Sequence, residues 1–179
     1  AFDAEPYKPF DADLDRTVPD FLPIGSESLV RQTSSTHGIE GYITKDPELI
    51  EKTQERLAKK ILSDIDQFTF YDEEIREQSD TLIISYGVTA RAAKEAALEL
   101  EKQGNPVSVL VLKTLWPVPE SLIREKAAPF RRIVVPEMNL GQYAREIERV
   151  LCDKPVENFG QMNGELVKPS RIKEEIENG

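Results

Sequence analysis

Cysteine is almost missing: Cys152 stands alone among 179 residues. One thiol closes no internal disulfide and cannot furnish the ligands of an iron–sulfur cluster or a cysteine-rich zinc site. Histidine is equally scarce. His37 has no second His or Cys near it in sequence, so no metal site is expected there. No apolar run approaches the roughly 20 residues of a membrane helix. No secretory pattern opens the chain, and a cytoplasmic location is expected. Positive charge is outweighed, with 23 Lys and Arg against 33 Asp and Glu and a formal net charge of −10. A nucleic-acid surface needs clustered bases to displace counterions, so nucleic acid is not an expected partner. The acidic balance suits either a basic protein partner or an ordinary solvated surface. A three-glycine dinucleotide fingerprint and a P-loop are both lacking.

What is present divides into two unlike parts. Apolar residues at 39% and charged residues at 31% suit a soluble globular chain rather than a disordered one. Up to about Lys45, however, neither helical nor strand periodicity is sustained. Pro6, Pro9, Pro19 and Pro23 alternate with Asp3, Asp11, Asp13, Asp15 and Asp20, which predicts extended, non-helical chain. Such an arm ordinarily lies on another body. With no Met at Ala1, the chain is expected to be a piece of a longer polypeptide.

Asp46-Pro47 then marks a helix start, Asp as N-cap and Pro at the first helical position. Leu49, Ile50, Thr53, Leu57 and Ile61 follow at helical spacing, so a helix is predicted to end near Asp64. A charged hinge, "DEEIREQSD" (72–80), precedes regular alternation. "TLIISY" (81–86) reads as a strand covered on both faces. A helix over 90–103 presents Ala93, Ala96, Ala97 and Leu100 to a sheet, and Gly104 and Asn105 end it. Further strands are predicted at 107–112 and 133–135, with a weak edge strand near 156–159. Helices are predicted over 120–127 and 170–177. Another, after residue 137, should carry Leu140, Tyr143, Ala144, Ile147, Val150 and Leu151 on one face. Alternating strands and helices predict a three-layer α/β domain over 78–179, with a mostly parallel sheet and helices on both faces. An extended arm and one helix, 1–77, precede it.

Several residues are candidates for chemistry or contact. In "EMNLGQ" (137–142), Asn139 and Gln142 have the spacing of a capping box. Gly141 suits close packing or approach of another group to the backbone. The same stretch would line the crevice beyond the strand carboxyl ends, where ligands and partners sit in open α/β sheets. Free N–H groups at Leu140 to Gln142 would favour an anion there, with Glu137 beside them. Arg91 opposes the dipole at a helix start, so it either reaches an acid or phosphate or simply meets solvent. His37, beside Ser34, Ser35 and Thr36, has no placed acid to complete a triad, and a turn or interface role is expected. Trp116, in "TLWPVPE", is an interface anchor if exposed and a cover for the sheet if buried.

Taken together, "SYGVTARAAKEA", "LVLKTLWPVPESLI", "RRIVVPEMNLGQYAREIERVL" and "KPSRIKEEIE" resemble the C-terminal domain of the α subunit of 2-oxoacid:ferredoxin oxidoreductases. That domain has a transketolase C-terminal-like fold. "TSSTHGIEGYITKDPELIEKTQERLAKKI" (33–61) resembles the family's connecting segment after its thiamine-pyrimidine domain, although Gly38 and Ile39 replace the acids that often follow the histidine. The resemblance implies oxidative decarboxylation of a 2-oxoacid to an acyl-CoA, with electrons passed to ferredoxin. 2-Oxoglutarate is the expected substrate, and branched-chain 2-oxoacids come next. It implies thiamine diphosphate, Mg2+, iron–sulfur clusters and coenzyme A for the whole enzyme, none of them bound by this piece. The implied partners are a missing N-terminal pyrimidine-binding domain, a diphosphate-binding β subunit, further γ or δ subunits, and ferredoxin. No catalytic residue carries over. Alternatives are the equivalent domain of a transketolase or of a 2-oxoacid dehydrogenase β subunit, or a module binding CoA or another anion after Glu137.

Overall fold

The computed structural model describes residues 8, 10, 11, 22, 23, 25 and 35–179. Most of the expected extended arm lies outside the described residues. The chain falls into two compact units, Ala1–Ile65 and Asp66–Gly179.

In the first unit, Thr36–Thr44 closes a small hairpin. His37 bridges Ile43, and Gly38 N donates to Tyr42 O at 2.9 Å. Helix α1 spans Pro47–Leu62. Its start is the one expected: Asp46 accepts from the amides of Glu48 (3.0 Å) and Leu49 (3.4 Å), and Pro47 needs no donor partner.

The second unit is built on a five-stranded sheet of order β1-β3-β2-β4-β5. Its elements are β1 Tyr71–Glu74, β2 Thr81–Tyr86, α2 Thr89–Lys102, β3 Ser108–Leu112, α3 Glu120–Ala127, β4 Arg132–Glu137, α4 Gln142–Val150, β5 Val156–Gly160 and α5 Pro169–Asn178. β2, β3, β4 and β5 run parallel, as the strand-helix alternation requires. β3 is buried along its whole length, so its five residues need no alternation of polar and apolar.

Both faces of the sheet are covered. On one, Leu82, Ile84, Leu110, Ile133 and Val135 pack with Ile123 and Ala127 of α3 and Ala144, Ile147 and Val150 of α4. On the other, Ile83, Val109 and Val134 meet the alanine stripe of α2 and Ile172 and Ile176 of α5. Ala93, Ala96 and Ala97 are fully buried, and their short side chains let α2 lie close to the sheet.

Three features depart from expectation. The charged stretch from Asp72 contains β1, which pairs antiparallel with β3, so the compact unit begins at Asp66 and not at residue 78. Its acids do not face water alone: Asp72 pairs with Lys113, Glu74 with Lys94 and Glu73 with Lys126. β4 continues beyond residue 135 to Glu137. Leu140 is 71% exposed and does not join the inner face of α4, because Gly141 at φ +81° breaks the helical phase before Gln142.

Candidate functional site: a buried carboxylate at the sheet's carboxyl edge

Pro136 and Glu137 end β4, and Glu137 points into the crevice between that strand end and the start of α4. Its side chain is completely buried. Oε2 accepts from the Tyr86 hydroxyl at 2.7 Å, Asn139 Nδ2 at 3.0 Å and the Tyr143 amide at 3.1 Å. Oε1 accepts from the Ala144 amide and Asn158 Nδ2, both at 3.1 Å. Five donors and no acceptor surround the group, which is what an acceptor-only carboxylate requires. It also lies at the positive end of the α4 dipole.

Asn139 joins the cluster. Its Oδ1 accepts from the Gln142 amide at 2.8 Å, and its Nδ2 also reaches the Tyr86 hydroxyl at 2.9 Å. The capping box expected of Asn139 and Gln142 does not form, because α4 begins only at Gln142 with Gly141 as its N-cap residue; the Asn139 contact to the Gln142 amide is what remains of it. Beyond it, the amides of Tyr143 and Ala144 are held by Glu137. The first turn of α4 thus already holds an anion, and it is the protein's own.

Two glycines make room for this. A Cβ on Gly141 would collide with the Asn158 amide, and its φ of +81° is one that L side chains rarely adopt. A Cβ on Gly160 would lie 2.6 Å from Asn139 O, so the end of β5 approaches the 137–142 loop only because that residue has no side chain.

Burial is the largest influence on the Tyr86 phenol, and the adjacent Glu137 adds to it. Together they push its pKa up to about 12, against a smaller opposing effect of the Asn139 donor. Tyr143, edge-on to Tyr86 with ring centroids 5.3 Å apart, is raised too, first by burial and then by the charges of Glu146 and Tyr86. Neither phenol is primed to lose a proton near neutrality. Chemically the cluster is a clamp joining β2, β4, α4 and β5.

The remaining candidates lie elsewhere. Trp116 stands on the β3–α3 loop, 78% exposed. Arg91, in the first turn of α2, is exposed and forms no ion pair with a described residue. It lines a groove of about 280 Å3 with Val88, Thr89, Ala92, Leu166, Val167 and Pro169. His37, in the first unit, stacks on Phe10 with ring centroids 3.6 Å apart, and its Nδ1 lies 3.4 Å from Gly38 O. Sequence reasoning missed Tyr86 and Asn158. No local signal marks either, since they lie 51 and 21 residues from Glu137. Among the described residues no cluster of His, Cys, Asp and Glu could hold a metal ion, and no helix is long and apolar enough to cross a membrane.

A mixed sheet in this order, covered by helices on both faces, is the transketolase C-terminal-like class of fold. A split-gene transketolase, solved as an inactive β4 tetramer, shares it, with a TM-score of 0.51, 22% identity, and coverage of 60% of this chain and 40% of that one. Residues 79–172 match pyruvate:ferredoxin oxidoreductase core domain II, and the chain belongs to that family. It is 32% identical over 165 residues to the 2-oxoglutarate synthase subunit KorA of Methanocaldococcus jannaschii, covering 91% of this chain and 44% of that one. To the KorA subunit of Methanothermobacter marburgensis it is 34% identical over 146 residues, covering 80% and 39%. A 2-oxoglutarate:ferredoxin oxidoreductase from Magnetococcus marinus, solved with 2-oxoglutarate, coenzyme A and succinyl-CoA bound, superposes with a TM-score of 0.81 at 22% identity. That match covers 99% of this chain and 31% of the other. The chain thus spans less than half the length of the curated relatives it matches.

Proposed function

We propose that the chain is the C-terminal part of the α subunit of a 2-oxoacid:ferredoxin oxidoreductase. In this reading the whole enzyme converts 2-oxoglutarate and coenzyme A to succinyl-CoA, releases CO2 and passes two electrons to ferredoxin. The observation that carries it is the breadth of the KorA match, which takes in most of the chain and not the sheet domain alone. The share with ketoisovalerate oxidoreductase subunit VorB is smaller, 29% identity over 59% of this chain, which ranks branched-chain 2-oxoacids second.

The part played by this piece is structural. Glu137, Tyr86, Asn139 and Asn158 are engaged with one another in the 137–142 crevice, and both phenols there hold their protons. Thiamine diphosphate, Mg2+, the iron–sulfur clusters and CoA belong on other domains and subunits. One cysteine cannot by itself furnish the ligands of an iron–sulfur cluster, which supports that division. Residues 1–65 act as a connecting arm after a pyrimidine-binding domain, and residues 66–179 as the assembly domain. The partners are that domain, a diphosphate-binding β subunit, further small subunits and ferredoxin, in the cytoplasm.

The test is production of the complete α subunit with its β subunit, assayed for CoA-dependent viologen reduction with 2-oxoglutarate and with 3-methyl-2-oxobutanoate. Faster turnover of 2-oxoglutarate supports the assignment. Reduction of NAD through a lipoyl protein, with no viologen reduction, assigns the chain to the dehydrogenases instead.

A further inference from the structure

Because β2, β3, β4 and β5 are parallel, every loop leaving a carboxyl end emerges at the same edge of the sheet. Each presents a large apolar side chain to solvent: Val88 (47% exposed), Trp116 (78%), Leu140 (71%), and Met162 and Leu166 (55% and 61%). Phe70, just before antiparallel β1, adds another at 61%. At the opposite edge, residues 103–107, 128–131 and 151–155 expose no large apolar side chain, and Ile75 at the far end of β1 is the exception.

Charge follows the same division. α2, α4 and α5 begin at the apolar edge, and none has an acid in its first turn. A base stands at each start instead, Arg91 in the first turn of α2, Arg145 just past the first turn of α4 and Lys168 at the N-cap of α5, all exposed and all without an ion pair to a described residue. That opposes the helix dipole, which favours acids at helix starts. Glu120 of α3 is neutralised by Arg124 and Arg149, leaving Glu165 as the one acid in these loops without an ion pair to a described residue. A net charge of −10 makes a basic, apolar edge a local exception.

We infer that this edge docks an acidic, apolar face of another polypeptide of the same oxidoreductase, a statement that rests on the proposed function. The partner seats an apolar side chain in the groove between Val88 and Leu166 and sets carboxylates against Arg91, Arg145 and Lys168. A second copy of this chain meeting the edge symmetrically would bring those bases together without acids between them.

The only tryptophan, Trp116, reports on the edge. The complete α subunit is labelled with 5-fluorotryptophan, its other tryptophans replaced by phenylalanine, and titrated with unlabelled β subunit. The Trp116 19F resonance is expected to shift on complex formation, with an affinity that falls as salt is added. Arg91→Glu with Lys168→Glu, and separately Leu140→Ser, are expected to weaken binding about 10-fold or more. Lys102→Glu at the opposite edge should leave it unchanged. A complex whose Trp116 resonance stays put overturns the docking surface and leaves the enzymatic assignment standing. A shifted complex without 2-oxoacid-dependent viologen reduction sinks the assignment and keeps the surface. Failure of the two subunits to associate overturns both, and self-association through this edge overturns the choice of partner.

Discussion

The hydroxyl of Tyr86 donates to Glu137 Oε2 at 2.7 Å, joining the end of β2 to the end of β4 across 51 residues of sequence. The contact belongs to a clamp in which one carboxylate holds two strand ends, a helix start and a neighbouring strand. Removing that carboxylate leaves five donors without their acceptor, the Ala144 amide buried and most of the others partly so. Glu137→Ala is therefore expected to destabilise the chain by about 3 kcal/mol. Glu137→Gln, which turns an amide toward some of those donors, should cost about 2 kcal/mol. Urea denaturation measures both, and a loss below about 1 kcal/mol for the alanine variant would show that the clamp does not hold the fold.

The Tyr86 phenol makes a pH prediction with a definite sign. Its folded pKa of about 12 lies above the ordinary value of 10, so folding favours the protonated phenol. The stabilisation is fully present below pH 10 and is lost as pH rises from there through 12. Absorbance at 295 nm should show a phenolate step near pH 12 that Tyr86→Phe abolishes. If that variant leaves the high-pH titration unchanged, the assignment fails.

Gly141 and Gly104 have nearly the same backbone, with φ of +81° and +80°. A Cβ at Gly104 meets nothing within 4 Å, whereas one at Gly141 strikes the Asn158 amide. Gly104→Ala should cost only the left-handed strain, about 1 kcal/mol. Gly141→Ala adds a collision inside the clamp and should cost roughly 3 kcal/mol. Equal costs in parallel denaturation curves would mean that the close approach to Asn158 is unimportant.

Arg132 ties the C-terminal helix to the sheet. Its guanidinium pairs with Glu157 at 2.6 Å and donates to the carbonyls of Ile176 (2.7 Å) and Glu175 (3.1 Å). A lysine cannot reproduce that fork. Arg132→Lys and Arg132→Ala should both lose about 1–2 kcal/mol, and amide exchange should accelerate in α5 before it does in β3. Unchanged exchange in α5 would contradict this.

The architecture was legible wherever one element sufficed to declare itself. The apolar 81–86 run, the alanine stripe of α2, the Asp46-Pro47 start and the boundaries of α3 all follow from local composition and period. Legibility ended where a partner distant in sequence decides the outcome. β1 was hidden because its acids look solvated until Lys94, Lys113 and Lys126 are brought beside them. Leu140 fitted the spacing of α4, yet the left-handed Gly141 between them sets it outside the helix. The Asn139–Gln142 contact could be read from their spacing, but not that α4 begins only at Gln142. The larger role of Glu137 could not, because Tyr86 and Asn158 reach it only through the β2–β4 and β4–β5 pairings.

The central claim is that this chain assembles an enzyme and holds no reactive group of its own. Viologen reduction by the chain alone, supplied with 2-oxoglutarate, CoA, thiamine diphosphate and Mg2+, tests it directly. The account predicts a rate no higher than that without protein, alongside robust turnover by the complete α subunit assembled with its β subunit. Substrate-dependent reduction by the isolated chain would contradict it.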